Sequence, residues 1–174
     1  PPIIAYISDD TTICSGDSIS LTASGGSAYL WTTGQNTSTI TVTPSTSSVF
    51  SAGVFDDISC MVSVSVNVTV IPLVNAVISG DASVCLGRSI TLVAGDGTDY
   101  LWSTGETTSS IDVAPTVSTV YSVTTTNSCF SDTTSTLISV SYIVSSFSED
   151  TTILIGTEAQ LNATGGLMYL WEPP

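Results

Sequence analysis

The chain has 174 residues, of which 15 are Asp or Glu, one is basic (Arg88), and none is Lys or His, for a formal net charge of −14. That balance excludes nucleic-acid binding, which needs Lys or Arg to displace counterions from phosphate, and the lack of His removes the Ser-His-Asp and Cys-His pairs and the commonest zinc ligand. Ser (30) and Thr (28) make up a third of the chain, and with abundant Val they favour half-buried strands over helices, so the chain reads as all-β and as no enzyme.

The predicted elements alternate with period two. Residues 18–24 (SISLTAS) turn Ile19, Leu21 and Ala23 to one face. The Tyr-Leu-Trp strand at 29–31 follows, then a Thr-Gly reversal at 33–34 and a strand carrying Ile40 and Val42 that stops at Pro44. Next come SVFSAGV and MVSVSVNVTVI, the second alternating for eleven residues. Then the series begins again: SITLVAG at 89–95 and YLWSTGETTSSIDVAP at 100–115, ten of whose sixteen positions match YLWTTGQNTSTITVTP at 29–44. TVYSVTT follows in this second copy.

Trp31, Trp102 and Trp171 are 71 and 69 residues apart, each behind a matched Gly, Leu, Ala, Gly series. Such self-similarity marks a repeat architecture. We expect tandem β-sandwich repeats of immunoglobulin type, each with six to seven short antiparallel strands: repeat 1 over 1–72, repeat 2 over 73–142, and the first half of repeat 3 over 143–174. The three Trp are expected to fill the sandwich cores, and the Thr-Gly loop to be a turn rather than a site, since Glu106 replaces Gln35 between copies. The linker VIPLV at 70–74 has no Gly or Ser, which predicts limited bending. Each repeat should lengthen the array by about 30–40 Å.

Cys14 and Cys60 fall in repeat 1, Cys85 and Cys129 in repeat 2. Units this small gain from a covalent staple, and recurrence with the repeat favours Cys14–Cys60 and Cys85–Cys129, with Cys60–Cys85 as the rival pairing. Leu154 stands where the third copy would carry its first Cys, so within-repeat bonding predicts no second Cys in that copy. Disulfides imply an oxidising, extracellular or cell-surface location.

Asp10, Asp81 and Asp150 recur four residues before the Cys position. With Asp17, Asp56 and Asp57, Asp10 is a candidate calcium site if a Cys14–Cys60 bond gathers those loops. Arg88 replaces Asp17 in the second copy, and Thr125 and Thr126 replace Asp56 and Asp57, so the set is not repeated; solvated surface charge is the competing reading. No apolar run reaches the roughly 20 residues of a membrane helix, so no direct membrane insertion is expected. The chain opens at Pro1 and breaks off inside a repeat, which suggests a slice of something longer.

At TTICSGDSISLTASGG, YLWSTGETTSSIDVAP and VYSVTTTNSC the chain resembles the immunoglobulin-like, PKD-like repeats of Bacteroidetes surface proteins, especially gliding-motility adhesins of the SprB type. The resemblance implies an exported filament or spacer, carried by the type IX secretion and gliding machinery. It would contact polysaccharide or another surface ligand through other modules. It also implies O-glycosylation at Asp-Ser/Thr triplets, with Thr11, Ser18, Thr133 and Thr151 as candidates. A carbohydrate-binding module, with Phe55 and Phe130 as its least constrained aromatics, and an accessory domain of a secreted enzyme are the alternatives.

Overall fold

A computed structural model describes residues 4–57 and 60–171. Seven strands form the first unit: β1 (Tyr6–Ile7), β2 (Thr11–Cys14), β3 (Ile19–Ser24), β4 (Ala28–Trp31), β5 (Thr39–Val42), β6 (Ser48–Phe55) and β7 (Met61–Ile71). They make two sheets, β1-β3-β5 and β2-β7-β6-β4. The next seven repeat the plan: β8 (Val77–Ser79), β9 (Ser83–Cys85), β10 (Ile90–Gly95), β11 (Asp99–Trp102), β12 (Ser110–Val113), β13 (Thr119–Thr126) and β14 (Ser131–Ser141). Their sheets are β8-β10-β12 and β9-β14-β13-β11. The antiparallel expectation fails at one pair in each unit, because β2 and β9 run parallel to β7 and β14.

Alternation explains the cores. Leu21 and Ala23 of β3 meet Ile40 and Val42 of β5, while Trp31, Ala52, Val54, Val66 and Val68 close from the facing sheet. Leu92, Ala94, Trp102, Ile111, Val113, Val123 and Ile138 build the second core at matching strand positions. The outward positions of β3 and β5 are hydroxyls that pair across the strands, Ser20 with Thr41 at 3.3 Å and Thr22 with Thr39 at 3.0 Å, and Ser18 with Thr43 continues the row just past the strand ends at 2.8 Å. Such cross-strand pairs stabilise a sheet face, and they give the high Ser and Thr content a structural role.

The Tyr-Leu-Trp strand is tied down identically twice. Tyr29 and Tyr100 donate their hydroxyls to the carbonyls of Gly26 and Gly97, at 2.9 and 2.7 Å. The indole Nε1 of Trp31 donates to Thr37 and that of Trp102 to Thr108, at 2.8 and 2.9 Å. Both rings are 2% exposed. The loop between is a turn, with Gly34 and Gly105 at φ 86° and 97° donating back to the Trp carbonyls.

Trp171 departs from the expected core role. The third copy contributes only the short pair β15 (Ser146–Phe147) and β16 (Ala163–Thr164). Among the described residues no facing sheet covers them, so Trp171 is 54% exposed and Leu161, the counterpart of buried Leu21 and Leu92, is 55% exposed.

Candidate functional site

The feature that does more than fill a sandwich is the joint between the two complete units. β7 ends at Ile71 and β8 begins at Val77, leaving five residues between them. Three polar contacts bind that connection to the second unit. The Asn127 Nδ2 donates to the Pro72 carbonyl at 2.9 Å. The Asn75 N–H donates to Asp96 Oδ2 at 2.9 Å, and the Ala76 N–H to Asp132 Oδ2 at 2.8 Å. Charged acceptors make the last two stronger than neutral hydrogen bonds. Asp96 adopts φ 65°, a region that Asp tolerates better than most residues, where repeat 1 has Gly25.

A disulfide closes the joint. Cys14 is bonded to Cys129, with 5.7 Å between their Cα atoms, and Cys60 and Cys85 are exposed free thiols. The expected Cys14–Cys60 and Cys85–Cys129 pairings are therefore corrected, and so is the rival Cys60–Cys85. The reason is topological. Parallel pairing sets Cys14 opposite Ile71, at the last residue of β7, whereas Cys60 precedes Met61, the first residue of that strand. The ten strand steps from Ile71 to Met61, at about 3.3 Å each, already span roughly 33 Å, far beyond the Cα spacing a disulfide allows. Cys85, opposite Ser141, and Cys129, in the hairpin before Ser131, are kept apart in the same way.

Each half of the bond sits in a built turn. On the Cys14 side, the Ser15 N–H donates to Ile71 at 2.9 Å and the Asp17 N–H to the Cys14 carbonyl at 3.0 Å, over Gly16 at φ 94°. The Asp17 carboxylate accepts the Cys14 N–H at 3.3 Å. On the Cys129 side, Asn127 Oδ1 accepts the N–H groups of Cys129 and Phe130 at 2.9 and 2.8 Å. Asn127 thus orders the hairpin with its oxygen and holds the linker with its nitrogen. Nothing in the sequence singled it out; its only signal was its place two residues before a Cys.

The calcium candidates do not converge. Asp10 lies against the middle of β7, where its two oxygens accept the backbone and side-chain N–H groups of Asn67 at 2.7 and 2.8 Å. Those bonds lower its pKa, the backbone one most. Asp17 serves the Cys14 turn, and Asp56, whose Oδ1 accepts the Cys60 N–H at 2.8 Å, lies with Asp57 at the opposite end of the sandwich. Among the described residues no group of three or more Cys, His, Asp or Glu could hold a metal. The repeat register also shifts here: Tyr29 pairs with Val54 and Tyr100 with Thr125, so Thr125 matches Val54, and Asn127 matches Asp56.

The glycosylation candidates lie in different settings. Thr11 is half-buried on β2 against β7, the hydroxyl of Ser18 is shared with Thr43, and that of Thr133 with Thr124 at 2.8 Å. Thr151 is exposed beyond β15. Phe55 and Phe130 are both half-buried.

No family model matches the chain, and no curated protein is similar to it in sequence. Solved structures are similar in fold. The two-domain Ig1+Ig2 structure of DIP-gamma is 12% identical, covering 81% of this chain and 96% of that one, with a TM-score of 0.57. This chain has the immunoglobulin-like fold. A three-Ig titin fragment is 12% identical over 82% of this chain and 68% of its own, with a TM-score of 0.52. The N-terminal four Ig domains of Dscam1 are 13% identical over 80% and 46%, with a TM-score of 0.51. Among the described residues no helix is long and apolar enough to cross a membrane.

Proposed function

We propose that the chain is a structural segment of a large exported cell-surface adhesin, in which stacked immunoglobulin-like repeats act as a semi-rigid spacer. The observation that carries this reading is the joint: a five-residue connection pinned by three polar contacts and one disulfide between units. A flexible tether needs none of these, and a covalent clip suits a segment that transmits load. The disulfide also fits an oxidising location at or outside the cell surface. The resemblance to Bacteroidetes gliding-motility repeats supplies the finer reading, with type IX export and a role in surface gliding, and neighbouring repeats as the direct partners. Tandem immunoglobulin-domain structures such as the three-Ig titin fragment share the fold, which is compatible with a spacer of stacked repeats.

Carbohydrate binding by the repeats themselves is the second reading, and one feature favours it. On the outer face of repeat 1 a shallow groove of about 240 Å³ is bordered by Leu30, Phe55 and Met61. Repeat 2 does not reproduce it, because Thr126 and Ser131 stand where Phe55 and Met61 pair. A glycan array probed with the whole chain decides between the two: the spacer reading expects no selective signal, and selective, saturable binding would sink it.

A further inference from the structure

The joint consumes one cysteine from each complete repeat and leaves Cys60 and Cys85 as thiols. Cys85 is built like its bonded counterpart Cys14, and Cys60 lies in the hairpin equivalent to that of Cys129. Cys85 ends β9 as Cys14 ends β2, and in each case the partner strand's carbonyl, Ser141 or Ile71, accepts the next residue's N–H at 2.9 Å. Each turn closes with a 3.0 Å bond to the Cys carbonyl, from Arg88 or Asp17, over a positive-φ glycine. Cys60 lies in the same hairpin as Cys129 but one position later: its N–H is held by Asp56 Oδ1 at 2.8 Å and its carbonyl accepts the Asp56 N–H at 3.1 Å, the place that Phe130 takes beside Asn127. Each free thiol thus occupies one half of an arrangement whose other copy is closed in the same molecule.

The surface beside Cys85 is apolar. Leu86, Tyr142 and Ile143 border a groove of about 360 Å³ with it and are 53%, 70% and 76% exposed. At the equivalent end of repeat 1, Ile71, Pro72 and Leu73 are met by the loops of repeat 2, with Asp96 and Asn127 lining the shared groove. What meets such an end is therefore visible once in the structure, another repeat, which leaves Leu73 65% exposed and fastens the end by its polar contacts and disulfide.

We propose that Cys85 and its apolar rim form a docking half-site for a further complete repeat of this class. That repeat sits as repeat 2 sits on repeat 1, and its counterpart of Cys129 bonds to Cys85. By the same translation, Cys60 receives the Cys-x-Gly cysteine of a repeat on its own side. The proposal rests on the tandem-repeat reading above and turns isolated disulfides into a ladder running between neighbours. It reverses the expectation for the third copy, whose hairpin now carries a cysteine. Leu154, in the third Cys-x-Gly turn, leaves the junction beyond it without a sulfur to bond.

The chemistry requires a two-electron oxidant, for which a small disulfide such as oxidised glutathione serves. The hairpin thiolate attacks it, forming a mixed disulfide and releasing one glutathione, which takes up a proton. The Cys85 thiolate then attacks the hairpin sulfur of that mixed disulfide and expels the second glutathione. One protein S–S bond forms, the oxidant's S–S bond is lost, and the two thiol protons end on two glutathione molecules.

The test is a chain of residues 1–142 followed by a second copy of residues 73–142, folded in a glutathione redox buffer. Each repeat has its own buried core, so 1–142 is self-contained. With the added copy marked by Ser83→Thr and Ser128→Thr so that its cysteine peptides differ in mass, non-reducing peptide mapping is expected to find Cys14–Cys129 and Cys85 bonded to the added copy's hairpin cysteine, with Cys60 and the added copy's own Cys-x-Gly cysteine alkylated. Cys85 alkylated, or bonded to Cys60 of the same chain, beside an intact Cys14–Cys129 bond overturns the proposal. If Cys14–Cys129 is also missing, the between-repeat staple falls as a whole. A second measurement needs no added repeat: Cys60→Ser and Cys85→Ser variants of 1–142 are mixed and oxidised. A Cys85-to-Cys60 heterodimer at least tenfold over either homodimer is expected, and a statistical mixture overturns the complementarity. Glycan binding would sink the spacer function and leave either bond pattern untouched.

Discussion

The side-chain amide of Asn127 donates to the Pro72 carbonyl across the joint while its oxygen accepts from the hairpin that carries Cys129. One residue therefore couples linker geometry to thiol position. Asn127→Ala removes both roles and is expected to slow Cys14–Cys129 formation several-fold and to raise hydrogen exchange at the Cys129 and Phe130 amides. Asn127→Asp keeps the acceptor, as Asp56 does naturally in repeat 1, but loses the donor to Pro72. It should preserve hairpin protection and lose only the linker contact, a difference of about 1 kcal/mol. Equal exchange in the Ala variant and the parent would count against the coupling.

The disulfide fixes orientation more than it holds either core, since neither Cys14 nor Cys129 belongs to a buried cluster. Cys14→Ser is expected to change the unfolding free energy of each repeat by at most about 1 kcal/mol, the low end for a disulfide. It should widen the distribution of inter-repeat angles seen by small-angle scattering of residues 1–142. Loss of the native tryptophan fluorescence on reduction would show instead that the bond staples a core.

The cores were legible in the sequence because alternation is local: Leu21, Ala23, Ile40 and Val42 announce their face within a few residues, and the copies Leu92, Ala94, Ile111 and Val113 repeat it. The disulfide was not legible, because a repeat of two cysteines fits both within-unit and between-unit pairing. Only the parallel addition of β2 to the far end of β7 places Cys14 at the joint, and no residue pattern in TTIC shows which edge it joins. Trp171 departs for a related reason: in the first two copies the motif is a strand because it pairs with Ala52–Phe55 or Val123–Thr126, and at 169–171, with no such partner among the described residues, it forms neither a strand nor a buried core. Matching Asp56 to Thr125 follows from counting back from the second cysteine of each repeat, which ignores the longer hairpin loop of repeat 1, where five residues lie between strands against four in repeat 2.

Asp10 gives repeat 1 an acid-sensitive tie between β2 and β7. Its carboxylate is held below the ordinary value near 3.8 by the backbone N–H and then the side-chain amide of Asn67, whereas Leu137, which the strand register sets opposite Asp81, carries no side-chain amide. The folded pKa is depressed, so this contribution is present above the unfolded value and is lost as pH falls through the folded one. Asp10→Asn should therefore flatten the acid limb of repeat 1 unfolding below about pH 4 and leave repeat 2 unchanged. A carboxyl NMR titration of Asp10 checks the direction, and a midpoint at or above the ordinary value would contradict it.

Thr125 is fully buried, and its Oγ1 has no hydrogen-bond partner among the described residues. Repeat 1 solves the same position with Val54, which is equally buried in the first core. Desolvating a hydroxyl without replacing its bonds to water costs about 1–3 kcal/mol, and a methyl in its place gains apolar contact. Thr125→Val is therefore expected to stabilise repeat 2 by about 1 kcal/mol, raising its midpoint by several degrees for a unit of this size. The reciprocal Val54→Thr should destabilise repeat 1 by a similar amount. Gly97 limits the size allowed here, because a Cβ built on it would lie 2.9 Å from the Thr125 Cβ. Thr125→Ile should therefore lose what Thr125→Val gains, through overpacking against the Gly97 loop. Chemical denaturation of the three variants measures the order, and a Thr125→Val no more stable than the parent would mean that the hydroxyl has found a partner.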